Sequence, residues 1–231
     1  MQQQQAYPNL RPIADTGVLV EFGNVANDEV HQLVLGFDSA VRKANVNGLI
    51  ECVPTSTCVL VSYDPLQTDC DRVCEQLEQF LSAEHVDTVD STHWDIPVCY
   101  AESMAPDLDQ LSDRLGLSAH DIVEHHSAGR YKIIMYGFAP GYAYMGGVPE
   151  QIRTPRKTAP VMNVPPQTVM IAGPQCLITT LPMPTGWWRI GMTTFKPLQM
   201  DKNNPFIFNV GDSVEFVPMN ETDFLKQTRQ H

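Results

Sequence analysis

Residues 136–147 read Tyr-Gly-Phe-Ala-Pro-Gly-Tyr-Ala-Tyr-Met-Gly-Gly. Four glycines, one proline and four aromatics share twelve positions. Glycine and proline both weaken helix interiors, so no helix runs through the stretch. Pro140 lacks a ladder donor, so it is not a plain strand either. The segment follows Tyr131-Lys132-Ile133-Ile134-Met135, an apolar run with strand character. A strand that breaks into an ordered loop is expected, with glycines allowing close backbone approach and aromatics offering flat contact area. The competing reading is a buried loop whose aromatics only fill core.

Outward from this loop toward the C-terminus, helical periodicity disappears. Short apolar runs recur between glycines and prolines: Val169–Ala172, Cys176–Ile178, Phe206–Val210 and Val214–Val217. Twelve of the 18 prolines lie beyond residue 139. Many short strands punctuated by turn residues predict a β-barrel or sandwich.

Outward in the other direction the pattern alternates. Val18–Phe22 reads as a strand. Asn27 is a candidate N-cap, followed by Val30, Leu33, Val34, Phe37 and Val41 at helical spacing. Leu49–Val53 and Cys58–Tyr63 read as a paired hairpin. Thr68 and Asp71 give a capping signal for a helix carrying Val73, Leu77, Phe80 and Leu81. The predicted organisation is a polar tail over 1–9, an α+β domain over 10–85, a linker over 86–93 and a β-rich domain over 94–231. The last opens with a strand near Asp95–Tyr100. Pro106 is expected in the first turn of a helix stopped by Gly116, and Ser118 and Asp121 cap a further helix reaching His126.

Composition narrows the function classes. The 231 residues carry a formal net charge of -12, which argues against general nucleic-acid binding. The charge is asymmetric: residues 1–125 hold 21 acids and 5 bases, whereas 126–199 hold 7 bases and the single acid Glu150. The glycine-rich loop thus lies in the basic stretch of an acidic chain, a setting for an anionic ligand or an acidic surface; mutual neutralisation of the two halves explains it equally well. No apolar run reaches membrane-span length, and Met1–Gln5 has neither the basic start nor the apolar stretch of a signal peptide. The six cysteines contain no Cys-x-x-Cys pair and are expected as reduced thiols in a cytoplasmic protein. Cys70 and Cys74 are placed to share a helix face.

Familiar catalytic signatures are missing: there is no Gly-x-Ser-x-Gly, Walker loop or His-Glu-x-x-His. His125 and His126 are adjacent, so on a helix they diverge by about 100° and cannot share a metal as an i,i+4 pair can; no metal site is expected, and one of the two is expected partly buried at a domain seam. Arg153-Thr154-Pro155-Arg156-Lys157 offers guanidinium forks suited to carboxylates, or an ordinary solvated basic loop. Ile171–Gln175 ends a strand with an amide side chain. Pro184–Gly191 packs two tryptophans, two glycines and an arginine into eight residues.

Taken in order, Gly137–Gly147, Pro155-Arg156, Val164-Pro165, Ile171-Ala172-Gly173-Pro174-Gln175 and Gly186-Trp187-Trp188-Arg189-Ile190-Gly191 closely resemble the allophanate hydrolase subunit 1 family. That family includes the B subunit of the bacterial ATP-dependent 5-oxoprolinase and a sporulation histidine-kinase inhibitor. Ile96-Pro97-Val98, Tyr100, Pro106-Asp107-Leu108, Gly116-Leu117-Ser118 and His126 fall where the family places similar residues, so the resemblance spans about residues 10–220. The chain departs from the pattern at Val161, Gln167, Thr179, Thr185 and Met192, where two arginines and a tyrosine of the family are absent.

The resemblance implies an α+β fold, with a small α+β N-terminal domain followed by a cyclophilin-like β-barrel. It implies a hydrolase subunit inactive alone, working with a second cyclophilin-like subunit (of the allophanate hydrolase subunit 2 or 5-oxoprolinase C type) and, for 5-oxoprolinase, a third. ATP would be used by the complex, to open 5-oxoproline to glutamate. The substrate-binding residues expected on this reading are Arg156 for a carboxylate or phosphate and Gln175 to polarise a carbonyl. Gly137, Phe138, Pro140 and Gly141 would form the floor, and Tyr142 and Trp187 the walls. No catalytic nucleophile or base stands out. The alternatives are amide hydrolysis in urea breakdown, as half of an allophanate hydrolase, and a non-catalytic histidine-kinase inhibitor.

Overall fold

The structure, a computed structural model, describes residues 6–81, 91–200 and 203–229. The chain divides into two compact units, Met1–Asp90 and Ser91–His231. Of the tail expected over 1–9, residues 1–5 lie outside the described residues, and Asn9 already belongs to a strand. Of the linker expected over 86–93, residues 86–90 lie outside them, and His93 opens a strand.

The first unit is a four-stranded antiparallel sheet with two helices. β1 (Asn9–Ile13), β2 (Gly17–Glu21), β3 (Leu49–Pro54) and β4 (Cys58–Tyr63) lie in the order β1-β2-β4-β3. β1 carries a mixed run without apolar alternation and was not foreseen; its Pro12 is tolerable because the strand is an edge. Val18, Val20, Val59 and Val61 alternate onto one face and are buried. Against that face pack Val34, Phe37 and Val41 of α1 (Asp28–Ala44) and Val73 and Leu77 of α2 (Cys70–Glu78). Asn27 caps α1, its side chain accepting from the Val30 N–H at 2.8 Å. α2 is capped by Asp69, which accepts from the Arg72 N–H at 3.0 Å, and not by Thr68. Cys70 and Cys74 both pack against this core. Burial, and then the neighbouring Cys70, push the Cys74 thiol up to about 11. All six cysteines are free thiols, three of them buried.

The second unit is built on a closed barrel. Its strands are β5 (His93–Cys99), β6 (Tyr131–Tyr136), β7 (Ala143–Gly146), β9 (Thr168–Ala172), β10 (Gln175–Ile178), β12 (Trp188–Thr193) and β13 (Ser213–Met219), closed in the order β10-β7-β6-β13-β5-β12-β9. Neighbours are antiparallel except β13 and β5, which run parallel with Phe216 opposite Ile96. Ile96, Val98, Ile133, Met145, Val169, Ile171, Cys176, Ile190 and Phe216 fill the barrel together with Leu108 and Leu111 of α3 (Leu108–Leu115) and Ile122 of α4 (Ala119–Ala128). Gly116 ends α3 at φ 67, as expected, and Ser118 and Asp121 form a reciprocal capping box on α4. Pro106 lies before α3, not within its first turn, because Asp107 takes the cap position.

Every residue of β9 is buried, because the strand is covered on both faces. Val169 and Ile171 face the barrel core, while Met170 and Ala172 join an outer cluster with Tyr142, Val164, Leu177 and Trp187. Beside that cluster runs a two-stranded ribbon of β8 (Val161–Val164) and β11 (Met183–Thr185).

Two further features depart from the sequence reading. Phe206–Val210 is not a strand; apart from a bridge between Leu198 and Phe206 its backbone answers to side chains. Tyr136 Oη donates to the Phe208 carbonyl at 2.9 Å, and the buried Asp212 carboxylate accepts from the Asn209 N–H at 2.8 Å while also holding the Trp94 indole N–H and the Thr92 N–H. Of the adjacent histidines, His125 is half-buried, whereas His126 is 0% exposed within the second unit. Its ring stacks on Phe216 at 4.6 Å, with Nδ1 2.8 Å from Tyr100 Oη and Nε2 3.6 Å from Cys176 Sγ. A closing helix, α5 (Glu221–Thr228), follows β13; with Phe224 as its single buried residue, it carries too short a stripe to be read from sequence.

Candidate functional site

The loop between β6 and β7 folds back on itself. The Gly137 N–H donates to the Tyr142 carbonyl, the Ala139 N–H to the Gly137 carbonyl and the Tyr142 N–H to the Ala139 carbonyl, at 3.2, 2.9 and 3.1 Å. Thr180 Oγ1 donates to the Pro140 carbonyl at 2.6 Å. Gly141 has φ 75, and a Cβ there would lie 2.9 Å from Leu198 Cβ and 3.1 Å from Thr180 Cγ2. The close approach that this glycine permits is therefore to the protein itself. The Gly137, Ala139 and Tyr142 amides are spent on the loop's own turns.

What the loop contributes to the surface is side chains. Phe138, at φ 71, is 73% exposed and leans on Tyr142 at 5.8 Å. Both line a cavity of about 110 Å³ together with Tyr144, Arg156, Met170, Leu177, Pro184, Thr185, Gly186 and Trp187. Met170 of β9 and Leu177 of β10 come up from the outward face of the barrel. Trp187 meets Tyr144 edge-on at 5.9 Å, and the Arg156 guanidinium lies over the Trp187 ring at 5.4 Å. Burial raises the Tyr144 phenol, with Arg156 opposing.

The basic residues near the cavity play different parts. Lys157 and Arg189 are both committed to Asp107: Arg189 donates its backbone N–H, Nε and Nη2 to that carboxylate at 2.8, 2.8 and 2.7 Å, and Lys157 Nζ pairs with it as well. Burial alone would raise the Asp107 carboxyl, but the hydrogen bonds from Arg189 and Lys157 outweigh it and hold the group below the usual carboxylate range. Lys157 and Arg114 also flank Trp188, at 5.2 and 5.8 Å. Arg156 is exposed and has no acidic partner among the described residues. It is the cation this cavity offers to a ligand.

Of the residues expected to bind substrate, the structure brings Phe138, Tyr142, Arg156 and Trp187 to one cavity. Gly137, Pro140 and Gly141 shape the loop but do not line it. Gln175 stands outside the lining: it opens β10, paired with Gly146 and Ala172, two residues before Leu177. Tyr144, Thr185 and Gly186 line the cavity without having been expected to bind substrate, although all three fall inside the two aromatic, glycine-bearing stretches quoted above. Asp107 was also missed as an organiser; nothing in its local sequence marks a carboxylate whose partners lie 50 and 82 residues away.

The departures from the family pattern distribute unevenly. Thr185 lines the cavity and Val161 packs beneath it. Thr179 is a buried structural residue, accepting from the Thr168 N–H at 2.8 Å and donating to the Pro165 carbonyl at 2.7 Å. Gln167 and Met192 line a different depression of about 210 Å³ with Lys196, Phe224 and Thr228. Two exposed groups could present metal-ligating atoms, His93 with Asp95 and Glu215, and His120 with Asp121 and Glu124; neither borders the aromatic cavity.

Comparison with known proteins places this geometry. Residues 8–208 match the family described as carboxyltransferase domain, subdomain C and D. The chain is 30% identical over 226 residues to the 5-oxoprolinase B subunit of Bacillus subtilis, covering 93% of this chain and 94% of that one. It is 34% identical over 185 residues to the 5-oxoprolinase B subunit of Escherichia coli O157:H7, covering 79% and 84%. The crystal structure of TTHA0988 superposes with a TM-score of 0.78 at 28% identity over 88% of this chain, which spans 40% of that longer one. The Kluyveromyces lactis urea amidolyase shares the fold, with a TM-score of 0.73 at 15% identity over 94% of this chain and 15% of that one. No described helix is long and apolar enough to cross a membrane. The chain belongs to the carboxyltransferase domain, subdomain C and D, family.

Proposed function

We propose that this chain acts as the B subunit of an ATP-dependent 5-oxoprolinase, and that the aromatic cavity is its share of the site. The observation that carries the reading is the pairing of one uncommitted arginine with aromatic walls in a space of about 110 Å³. Pockets for drug-sized ligands run to roughly 300–1,000 Å³, so this one suits a small molecule. 5-Oxoproline presents one carboxylate, which the Arg156 fork matches, and a flat lactam, which Trp187 and Tyr144 can flank. The names of the bacterial relatives point the same way.

The lining holds no carboxylate, histidine, cysteine, serine or lysine. A site without an evident base or phosphate cradle supports a division of labour. This chain binds and orients, and the partner subunits, a second cyclophilin-like barrel and a third chain, supply ATP and the reacting groups. In the reaction ATP phosphorylates the lactam oxygen and ADP leaves; one water adds to the activated carbon and the C–N bond breaks to give a glutamyl acyl phosphate with a free amine, and a second water cleaves that acyl phosphate to glutamate and phosphate. Arg156 holds the carboxylate while charge develops at the other end of the ring. The barrel is of cyclophilin-like type on this reading, and the isolated chain has no activity.

The test is reconstitution with the partner subunits. Glutamate release and ADP formation should both depend on 5-oxoproline, and Arg156→Ala should raise KM at least about tenfold, the loss of one charge-assisted hydrogen-bonded contact. Ammonia release from allophanate in place of glutamate release would favour the urea-breakdown alternative.

A further inference from the structure

We propose that Asp107 is a positioning residue for Arg156, acting through Lys157 and Arg189. The inference rests on the reading that Arg156 receives the ligand's carboxylate. Asp107 is 4% exposed and stands at the N-cap of α3, yet its side chain makes no cap bond to that helix. It turns away and binds one residue from each of the two segments that form the charged wall of the cavity. Lys157 follows Arg156 in sequence, and Arg189 lies two residues past Trp187. The same two segments are stitched by the Lys157 N–H, which donates to the Gly186 carbonyl at 2.7 Å.

The remaining flanks of Arg156 are fixed with equal care. Arg153 Nε donates to the Val148 carbonyl at 2.8 Å, and Arg114 Nε donates to Thr154 Oγ1 at 2.8 Å. The Thr154 carbonyl accepts from the Gly173 N–H at 2.6 Å, and the Pro155 carbonyl accepts from the Trp188 indole at 2.8 Å. Within 153–157 the Arg156 head group alone has no hydrogen-bond or ion-pair partner among the described residues. A buried ion cluster adds little net stability over apolar packing of the same volume; fixed geometry is what it does supply. Here the fixed geometry is that of a single guanidinium laid over Trp187, so a ligand meets an arginine already in place.

Lys157→Met tests this without the burial problem that Asp107→Asn creates. It removes the ammonium, keeps an apolar stem over Trp188 and leaves the bidentate Asp107–Arg189 pair standing. In the full chain, phenylglyoxal modification mapped to Arg156 by mass spectrometry should accelerate roughly threefold, as expected for loss of an exposed cation–π contact. In the assembled complex KM for 5-oxoproline should rise by the same factor of roughly three with kcat within about twofold, because the interaction lost is a binding one. Adding Lys157→Met to Arg156→Ala should change KM no further. An unchanged modification rate overturns the positioning role, as does a full additional KM penalty in the double variant. A wild-type KM in Arg156→Ala overturns instead the reading of the cavity, and the modification rate then still decides whether Lys157 and Asp107 hold Arg156.

Discussion

His126 should make the barrel acid-sensitive in a range where few other groups titrate. The ring is fully buried among Tyr100, Tyr131, Cys176 and Phe216, and this burial lowers its pKa from 6.5 to about 3. The folded protein therefore keeps the imidazole neutral at pH 5, while the unfolded chain protonates it below about 6.5. The sign follows: a depressed folded pKa contributes stability that is complete above 6.5 and is lost as pH falls toward 3. From 6.5 to 5.0 the loss is about 1.5 units at about 1.36 kcal/mol each, or about 2 kcal/mol. All three tryptophans, Trp94, Trp187 and Trp188, lie in the second unit, so indole fluorescence in urea reports the barrel and not the N-terminal sheet. His126→Phe removes the titration. It also leaves the Tyr100 hydroxyl without its partner, costing about 1–3 kcal/mol at any pH. The wild-type barrel should lose about 2 kcal/mol more than the variant between pH 7 and pH 5. Equal losses in the two proteins would mean that the folded state protonates His126 and that water reaches it.

Two further substitutions separate loop strain from helix capping. Gly141→Ala forces a Cβ to 2.9 Å from Leu198 at φ 75, so the barrel transition in urea should fall by about 1–3 kcal/mol. Asn27→Ala removes the α1 cap and should cost the first unit about 1 kcal/mol, read by far-ultraviolet circular dichroism.

What could be read from the sequence was whatever is local. Asn27, the Ser118–Asp121 box and Gly116 mark helix ends because a cap acts within three or four residues. The hairpin of β3 and β4 and the strands at Val169–Ala172 and Cys176–Ile178 show as apolar runs between turn residues. Phe138, Tyr142, Arg156 and Trp187 were legible as site candidates because the residue types carry the chemistry. The failures are non-local. Asp107 finds partners far along the chain, and Asp212 collects donors from Thr92, Trp94 and Asn209, the last within the non-strand segment Phe206–Val210. Gln175 looked poised at a strand end, yet which side chains reach a cavity depends on how the barrel closes. The full burial of His126 was not legible either, because nothing in a helical His-His pair announces that Phe216, on the parallel strand β13, will cover it.

Phe138 offers a prediction in which stability and function move in opposite directions. A left-handed backbone costs a residue with a Cβ about 1–2 kcal/mol, and an aromatic at φ 71 has no local hydrogen bond to offset it. The ring is 73% exposed, so burial repays little; its one aromatic contact, with Tyr142 at 5.8 Å, is worth about 0.5 kcal/mol at the surface. Asparagine tolerates the left-handed region better than any other residue except glycine and avoids the extra backbone entropy of glycine. Phe138→Asn should therefore leave the barrel as stable as before or more stable by up to about 1 kcal/mol, measured by the tryptophan transition in urea. The cavity loses a wall at the same time, so KM for 5-oxoproline in the assembled complex should rise. Strain retained at an exposed aromatic is expected where the ring serves a ligand and not the fold. A barrel destabilised by more than about 1 kcal/mol would show that the ring packs as core does, and the strain would then need no functional account.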